Sequence, residues 1–238
     1  MNNIITIENY NLKLGNFTLN NINLEIKEGE IFAILGRTGS GKTVLLESIA
    51  GFYNHGNGAI YIKDTPINDI YICNRNIGFV YQDYALFPHM TVFDNIAYGL
   101  KMKKVKKHEQ TEIVNEMAKL LSIENILKKY PGTISGGEKQ RTALARALVL
   151  NPKILLMDEP FSALDPSTKN NMYAKIKSLH KKFKCTIVFV THDFNEAKKI
   201  ADRIGIISNG TLKTIRNSQN LFDTYEDPEI NKFLGIAN

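Results

Sequence analysis

Eight consecutive residues, Gly36-Arg37-Thr38-Gly39-Ser40-Gly41-Lys42-Thr43, constrain this chain more than any other stretch. They follow the apolar run Ile31-Phe32-Ala33-Ile34-Leu35 and lead into Val44-Leu45-Leu46-Glu47-Ser48-Ile49-Ala50, a helix pattern closed by Gly51. Strand, glycine loop and helix form the setting in which the spacing G-x-x-x-x-G-K-[ST] makes a P-loop. Glycines let backbone N–H groups crowd around phosphate oxygens, and the helix N-terminus adds its positive dipole. Lys42 is placed to neutralise β- and γ-phosphates, and the Thr43 hydroxyl to ligate Mg²⁺. An ordinary Gly/Ser connection needs neither the lysine nor the threonine. The chain is therefore expected to bind a nucleoside triphosphate through Gly36 to Val44.

At 238 residues the chain suits one large α/β domain, or a core with an inserted subdomain. A hydrophobic content of 43% and a charged content of 23% are those of a soluble globular protein. No apolar run approaches the roughly 20 residues needed to cross a bilayer, and Met1-Asn2-Asn3 does not open a signal peptide. Any membrane role is then expected to come through a partner chain. Cys73 and Cys185 have no metal or redox spacing and are expected to be buried thiols in a reducing cytoplasm.

The net charge of +6 raises the question of nucleic acid. Much of it lies in Lys101, Lys103, Lys104, Lys106 and Lys107, and in Lys181, Lys182 and Lys184. Neither cluster is interleaved with the aromatic residues that a stacking platform needs. Solvated lysines on helix ends explain both, with at most a weak attraction to an anionic membrane surface.

Ile4 to Glu8, Phe17 to Leu19 and Ile22 to Ile26 alternate as strands, with a tight turn at Lys27-Glu28-Gly29-Glu30. A nucleotide site here calls for an aromatic ring to stack on adenine, and Tyr10 and Phe17 are the candidates. Gly58 to Ile62 and Ile77 to Tyr81 are further strands, the second leading into Gln82. Gln82 is either a polar strand end or a group that reaches Mg²⁺ and the attacking water. The apolar run Ala85-Leu86-Phe87-Pro88 behind it predicts a docking surface. Thr91 and Asp94 have capping-box spacing for a helix, and Glu109 to Leu121 is a second one with Ile113, Met117, Leu120 and Leu121 on one face. Pro131-Gly132 breaks the chain, so the middle stretch reads as a helical insertion.

Ser135-Gly136-Gly137-Glu138 precedes a strong helix from Thr142 to Leu148. Ser135 and Glu138 fit a capping box, which has no need of two glycines inside it. Those glycines suit a backbone that approaches a phosphate, and a second phosphate-binding stretch implies two subunits sharing each nucleotide. Ile154 to Met157 is an apolar strand ending in Asp158-Glu159-Pro160. Asp158 fits an Mg²⁺ ligand, and Glu159 a general base for water. Asp165-Pro166 reads as an N-cap with proline at the first helical position, compatible with a place at the subunit junction. His192 follows the buried strand Thr186 to Val190, either as a structural hydrogen-bonder or as a contact to the γ-phosphate. Asn209-Gly210 between two strands signals a hairpin. The last segment is expected to form short helices packed back through Leu221, Phe222, Phe233 and Leu234.

Taken in order, the P-loop, Gln82, Ser135-Gly136-Gly137-Glu138, Asp158-Glu159, Ser162-Ala163-Leu164-Asp165 and His192 resemble the ATP-binding-cassette (ABC) ATPases over nearly the whole chain. The resemblance implies an α/β fold: a P-loop NTPase (RecA-like) core with an N-terminal antiparallel β subdomain and an inserted α-helical subdomain. Residues 1–83 and 152–220 would form the core, 84–151 the helical subdomain and 221–238 a helical tail. It also implies a homodimer that sandwiches ATP. Lys42, Thr43, Gln82, Asp158, Glu159 and His192 of one subunit would face Ser135, Gly136, Gly137 and Glu138 of the other, with Asp165 at the junction. Catalysis would rest on Glu159, His192 and Gln82, Mg²⁺ on Thr43, Gln82 and Asp158, and adenine stacking on Phe17.

Tyr81 to Val92 resembles the coupling region of uptake ATPases, which implies permease subunits docking near Ala85–Phe87, a solute-binding protein engaged indirectly, and a peripheral place on the cytoplasmic side of the membrane. Leu14 to Phe17 and Asp94 to Leu100 are most similar to the molybdate/tungstate branch. Ferric-ion, sulfate or polyamine uptake stays open, because the solute never touches this chain. Ile134 and Glu138 depart mildly from the family's leucine and glutamine, and the regulatory β domain of longer importers is not expected here. A soluble ABC protein acting on nucleic acid or ribosomes would suit the positive charge, but the chain has one cassette, no coiled-coil insertion and no zinc-binding cysteines. A P-loop metabolic kinase leaves Ser135-Gly136-Gly137 unexplained.

Overall fold

The computed structural model describes residues 2–53 and 56–236. In chain order it runs β1 (Asn3–Leu14), β2 (Phe17–Lys27), β3 (Ile31–Leu35), α1 (Lys42–Ala50), β4 (Asn57–Ile62), β5 (Thr65–Pro66) and β6 (Ile77–Val80). Helices α2 (Val92–Met102), α3 (Lys107–Leu121) and α4 (Gly136–Leu148) come next. They are followed by β7 (Ile154–Asp158), α5 (Pro166–Phe183), β8 (Thr186–Thr191), α6 (Phe194–Ile200), β9 (Arg203–Ser208), β10 (Thr211–Asn217) and α7 (Pro228–Leu234).

Two sheets organise these elements. One is antiparallel, in the order β2-β1-β4-β5; the other is six-stranded, in the order β10-β9-β3-β8-β7-β6. The strands from β6 to β9 in that second sheet are parallel, and β10 closes its edge antiparallel. The central strands β3, β7 and β8 are buried at every position, as a parallel sheet covered on both faces requires. Their side chains divide by alternation. Phe32, Ile34, Ile154, Leu156, Val188 and Val190 join α1 and the antiparallel sheet in one core. Ala33, Leu35, Leu155, Met157, Ile187 and Phe189 face the helices in the other. Helix α1 therefore lies between the two sheets, with Leu45, Leu46 and Ile49 fully buried.

Local chemistry sets the boundaries. Gly51 ends α1 in the left-handed region (φ 83°) and returns its N–H to Ser48. Thr91 caps α2 by accepting from the Asp94 N–H. Asn209 and Gly210 both take positive φ (48° and 72°), which a two-residue hairpin turn requires. Helices α2, α3 and α4 pack on one another between β6 and β7 in the chain. The lysines at 101, 103, 104, 106 and 107 are exposed around the α2–α3 junction.

Several expectations need correction. Cys185 is buried, but Cys73 is exposed on a short 3-10 turn. Tyr71 and Ile72 beside it are 81% and 66% exposed, so that apolar run lies on the surface and only Ile70 packs inward. β2 is continuous through Asn20 and Asn21: Asn9 in β1 and Asn21 in β2, at φ 47° and 44°, lie at two successive register shifts of the β1–β2 pairing. The buried face of α3 carries Val114, Met117, Ala118 and Leu121, whereas Ile113 and Leu120 flank it half-buried. In the tail, Leu221 and Leu234 are buried and Phe233 packs against the core, but Phe222 is 40% exposed.

Candidate functional site

The loop Gly36–Gly41 leaves the C-terminal end of β3 and turns into α1. Gly41 sits at φ 104°, where an L side chain is strained, and a Cβ there would run into the Phe17 ring. A Cβ on Gly36 would collide with the Ile207 carbonyl and the Ser40 hydroxyl. Phe17, Thr38, Gly39, Gly41, Lys42, Thr43, Val44, Gln82 and Glu159 line an open cleft of about 910 Å³ above this loop. Phe17 is thus at the cleft, whereas Tyr10 is buried in the core between the sheets, where burial raises its hydroxyl pKa.

Lys42 is 4% exposed, and its ammonium donates to the Arg37 carbonyl at 3.0 Å. It also lies 3.7 Å from Glu159 Oε1. Burial pulls the Lys42 pKa down, and the Glu159 and Asp158 charges oppose that shift. The Thr43 hydroxyl donates to Asp158 Oδ1 at 3.0 Å. Burial pushes the Asp158 carboxyl pKa up, the Thr43 hydrogen bond pulls it down, and the Glu159 and Glu47 charges add to the rise.

Glu159 is the strained member. Its φ is 39°, a left-handed backbone for a residue with a full side chain. Surrounding bonds hold it there: its N–H donates to the Val190 carbonyl at 3.2 Å, and its own carbonyl accepts from Ser162 N–H and Oγ. The result aims one carboxylate at two groups, Lys42 and, 3.2 Å from Oε2, His192 Nδ1.

The structure does not bring every predicted residue to this cleft. Arg37 contributes its carbonyl, but its guanidinium lies over the Phe233 ring at 5.6 Å and lines a separate small pocket against Ile207 and Phe233. Ser40 is buried in the loop, with a hydroxyl that carries no hydrogen bond among the described residues. Ser135 and Glu138 close a complete capping box on α4, which lowers the Glu138 pKa through its Ser135 bonds. Ser135 and Gly136 are exposed and outside the cleft lining. Asp165 is exposed at the start of α5, where its carboxylate accepts from Thr168 N–H at 3.0 Å.

Three positions that sequence reasoning passed over organise the surroundings. Arg146 of α4 donates to the carbonyls of Ala85 (2.7 Å) and Tyr84 (2.9 Å), and stacks on Phe87 with its guanidinium 5.1 Å from the ring centre. Tyr84 and Ala85 are both left-handed, at φ 66° and 42°. Asn95, fully buried in α2, accepts from Phe87 N–H and donates to the carbonyls of Phe87, Met90 and Thr91. Gln140 donates to the Pro160 carbonyl, tying α4 to the segment behind Glu159. A buried polar residue on an apolar helix face was the readable signal for Asn95 and Gln140.

No group of three or more His, Cys, Asp or Glu residues able to hold a metal exists among the described residues. Mg²⁺ needs no such cage, because one or two protein oxygens plus substrate phosphates satisfy it. The Thr43–Asp158 oxygen pair fits that requirement.

Residues 19–162 match the ABC transporter family. The chain is 45% identical over 235 residues to the sulfate/thiosulfate import ATP-binding protein CysA of Mesostigma viride, covering 98% of this chain and 68% of that one. It is 43% identical over 235 residues to the molybdate/tungstate import ATP-binding protein WtpC of Pyrococcus horikoshii, covering 99% and 68%. Among solved structures, the dimeric post-hydrolysis state of the ATP-binding cassette MJ0796, bound to ADP and Pi, superposes with a TM-score of 0.80 at 33% identity, covering 90% of this chain and 98% of that one. Sulfate and molybdate/tungstate relatives stand equally near, so the molybdate/tungstate branch is not singled out. With the family match over residues 19–162, these relatives and a phosphate loop at the head of α1, the chain belongs to the ABC transporter family, as the ATP-hydrolysing subunit of an importer.

Proposed function

We propose that two copies of this chain close on ATP and drive uptake of a tetrahedral oxyanion such as sulfate, thiosulfate, molybdate or tungstate. The observation that carries the catalytic part is Glu159, placed within 3.7 Å of Lys42 and 3.2 Å of His192. In this reading Lys42 neutralises the terminal phosphates, Phe17 stacks on adenine, and Gln82 and His192 hold the attacking water and the γ-phosphate. The Glu159 carboxylate takes a proton from water as its oxygen bonds to the γ-phosphorus, and the bond to the bridging oxygen of ADP breaks. Thr43 and Asp158 would hold Mg²⁺, which when bound neutralises charge developing on the phosphates. The oxyanion class rests on the names of the relatives, and ferric-ion or polyamine uptake is the second reading.

The second copy enters through Ser135, Gly136 and Gly137. Among the described residues, nothing beyond its own neighbours and helix backbone lies within 4 Å of where a Gly136 Cβ would sit, a Gly137 Cβ would meet only ordinary contacts with Arg141 and Thr168, and neither glycine has a positive φ. Glycine there is not demanded by the chain's own packing, which suits close approach by another molecule's phosphate. The 84–151 stretch would be the helical subdomain on a core of 1–83 and 152–220. The loop Ala85–Phe87 would dock a permease, with a solute-binding protein acting beyond it. The chain would then be peripheral, on the cytoplasmic face, in keeping with the lack of any helix among the described residues long and apolar enough to cross a membrane.

Two measurements test this reading. Light scattering on the Glu159→Gln protein is expected to give twice the monomer mass with ATP and the monomer mass without it. Uptake by the assembled complex is expected for tetrahedral oxyanions; uptake of ferric ion or a polyamine alone would replace the solute assignment.

A further inference from the structure

Behind His192 lies a buried carboxylate that the hydrolytic scheme does not use. Glu196, in the first turn of α6, is 3% exposed, a burial that isolated carboxylates do not tolerate. It is satisfied from two elements. The Thr191 hydroxyl at the end of β8 donates to Oε2 at 2.6 Å. The Lys169 ammonium, from the first turn of α5, donates to Oε1 at 2.7 Å. Tyr173, one turn further along α5, has its hydroxyl pKa raised by burial and then by the Glu196 and Asp193 charges beside it.

Each partner adjoins a candidate site segment. Thr191 immediately precedes His192, and its hydroxyl also accepts from the Asp193 N–H at 3.0 Å. The Thr191 carbonyl accepts from the N–H of Gly36, the first P-loop glycine, at 3.4 Å. Lys169 donates its backbone N–H to the Asp165 carbonyl at 3.0 Å. Its ammonium lies 3.8 Å from the Asp193 carboxylate on the far side of His192. One buried carboxylate therefore joins the end of β8, the loop that carries His192 and the segment that begins at Asp165.

We infer that Glu196 is a positioning residue: with Lys169 and Thr191 it fixes the His192 loop to the start of the helix behind Asp165. His192 is itself exposed, and beyond its 3.2 Å contact with Glu159 Oε2 its place is defined by the bonds of its chain neighbours Thr191 and Asp193. The inference deepens the proposed function and rests on His192 serving the γ-phosphate. Movement of the Asp165 segment when a second copy binds would reach His192 through the Lys169–Glu196 pair.

The test is Glu196→Gln, which keeps the shape and one acceptor but removes the charge. The turnover number is expected to fall about tenfold to hundredfold, with the KM for ATP within about twofold. The ring NMR signal of His192, assigned by its loss in His192→Ala, is expected to shift and broaden, while those of His89, His108 and His180 stay in place. Thr191→Val, which deletes one hydroxyl, is expected to move the same signal and keeps the test alive if Glu196→Gln does not fold. An unmoved His192 signal overturns the inference, as does a loss expressed only in KM. So does an equal turnover loss in Leu121→Ala, a distant core variant with the same thermal shift. Full turnover in His192→Ala would instead remove the role given to His192, leaving the NMR result to decide the positioning on its own.

Discussion

The Thr43 hydroxyl donates to Asp158 Oδ1 at 3.0 Å, joining the first residues of α1 to the last residue of β7 across 115 positions of sequence. Two hard oxygen donors from separate elements converge at the base of the phosphate cleft. Asp158→Asn is expected to weaken Mg²⁺-dependent ATP hydrolysis by about a hundredfold, read from a Mg²⁺ titration of turnover.

The Asp158 carboxyl has its pKa raised by burial, so its proton must leave before a cation can bind. Mg²⁺ affinity is therefore expected to rise with pH over a range above the ordinary aspartate value of about 4, and the rise to flatten in Asp158→Asn. The same shift sets the sign for stability. A carboxyl whose folded pKa is raised contributes stability below its unfolded value, and that contribution is lost as pH rises through the folded value. Without Mg²⁺, Asp158→Asn should melt above the unsubstituted protein at neutral pH, with the gap closing in acid.

Lys42→Ala is expected to raise the Kd for ATP by about tenfold or more, since a buried ammonium beside the phosphate loop supplies charge that water cannot replace there. Fluorescent-nucleotide titration reads it. Unchanged affinity would count against the phosphate-loop assignment.

Arg146 offers a planar fork to two carbonyls of left-handed residues, a geometry that lysine cannot reproduce. Arg146→Lys is expected to cost about 1–3 kcal/mol in urea unfolding. Basal hydrolysis by the isolated subunit should change less than the stimulation given by the permease, because the loop that shifts carries Ala85–Phe87. Equal losses in both would separate Arg146 from docking.

How much of this was legible depended on distance along the chain. The strand Ile31–Leu35, the glycine loop and the helix closed by Gly51 are contiguous, and their boundaries follow from local rules. The continuous apolar runs Ile154–Met157 and Ile187–Val190 place Asp158 and Thr191 at strand ends for the same reason. The Glu196–Lys169 contact spans 27 residues and needs α5 and α6 packed together, which no periodicity encodes. Arg146 reads as one more cation in a helix until Tyr84 and Ala85 turn their carbonyls toward it. Cys73 misled because Tyr71-Ile72-Cys73 is apolar in composition yet lies on a surface turn. Tyr10 and Phe17 were both candidates by residue type, with only the family resemblance favouring Phe17; the β1–β2 pairing puts the Tyr10 ring in the core and the Phe17 ring at the cleft.

Glu159, held at φ 39° between Lys42 and His192, is placed to take the proton from the attacking water. Single-turnover hydrolysis by Glu159→Gln, alongside its ATP affinity, tests it most directly. Turnover is expected to fall by about a hundredfold or more with the Kd for ATP within about threefold. Hydrolysis at the unsubstituted rate would contradict it.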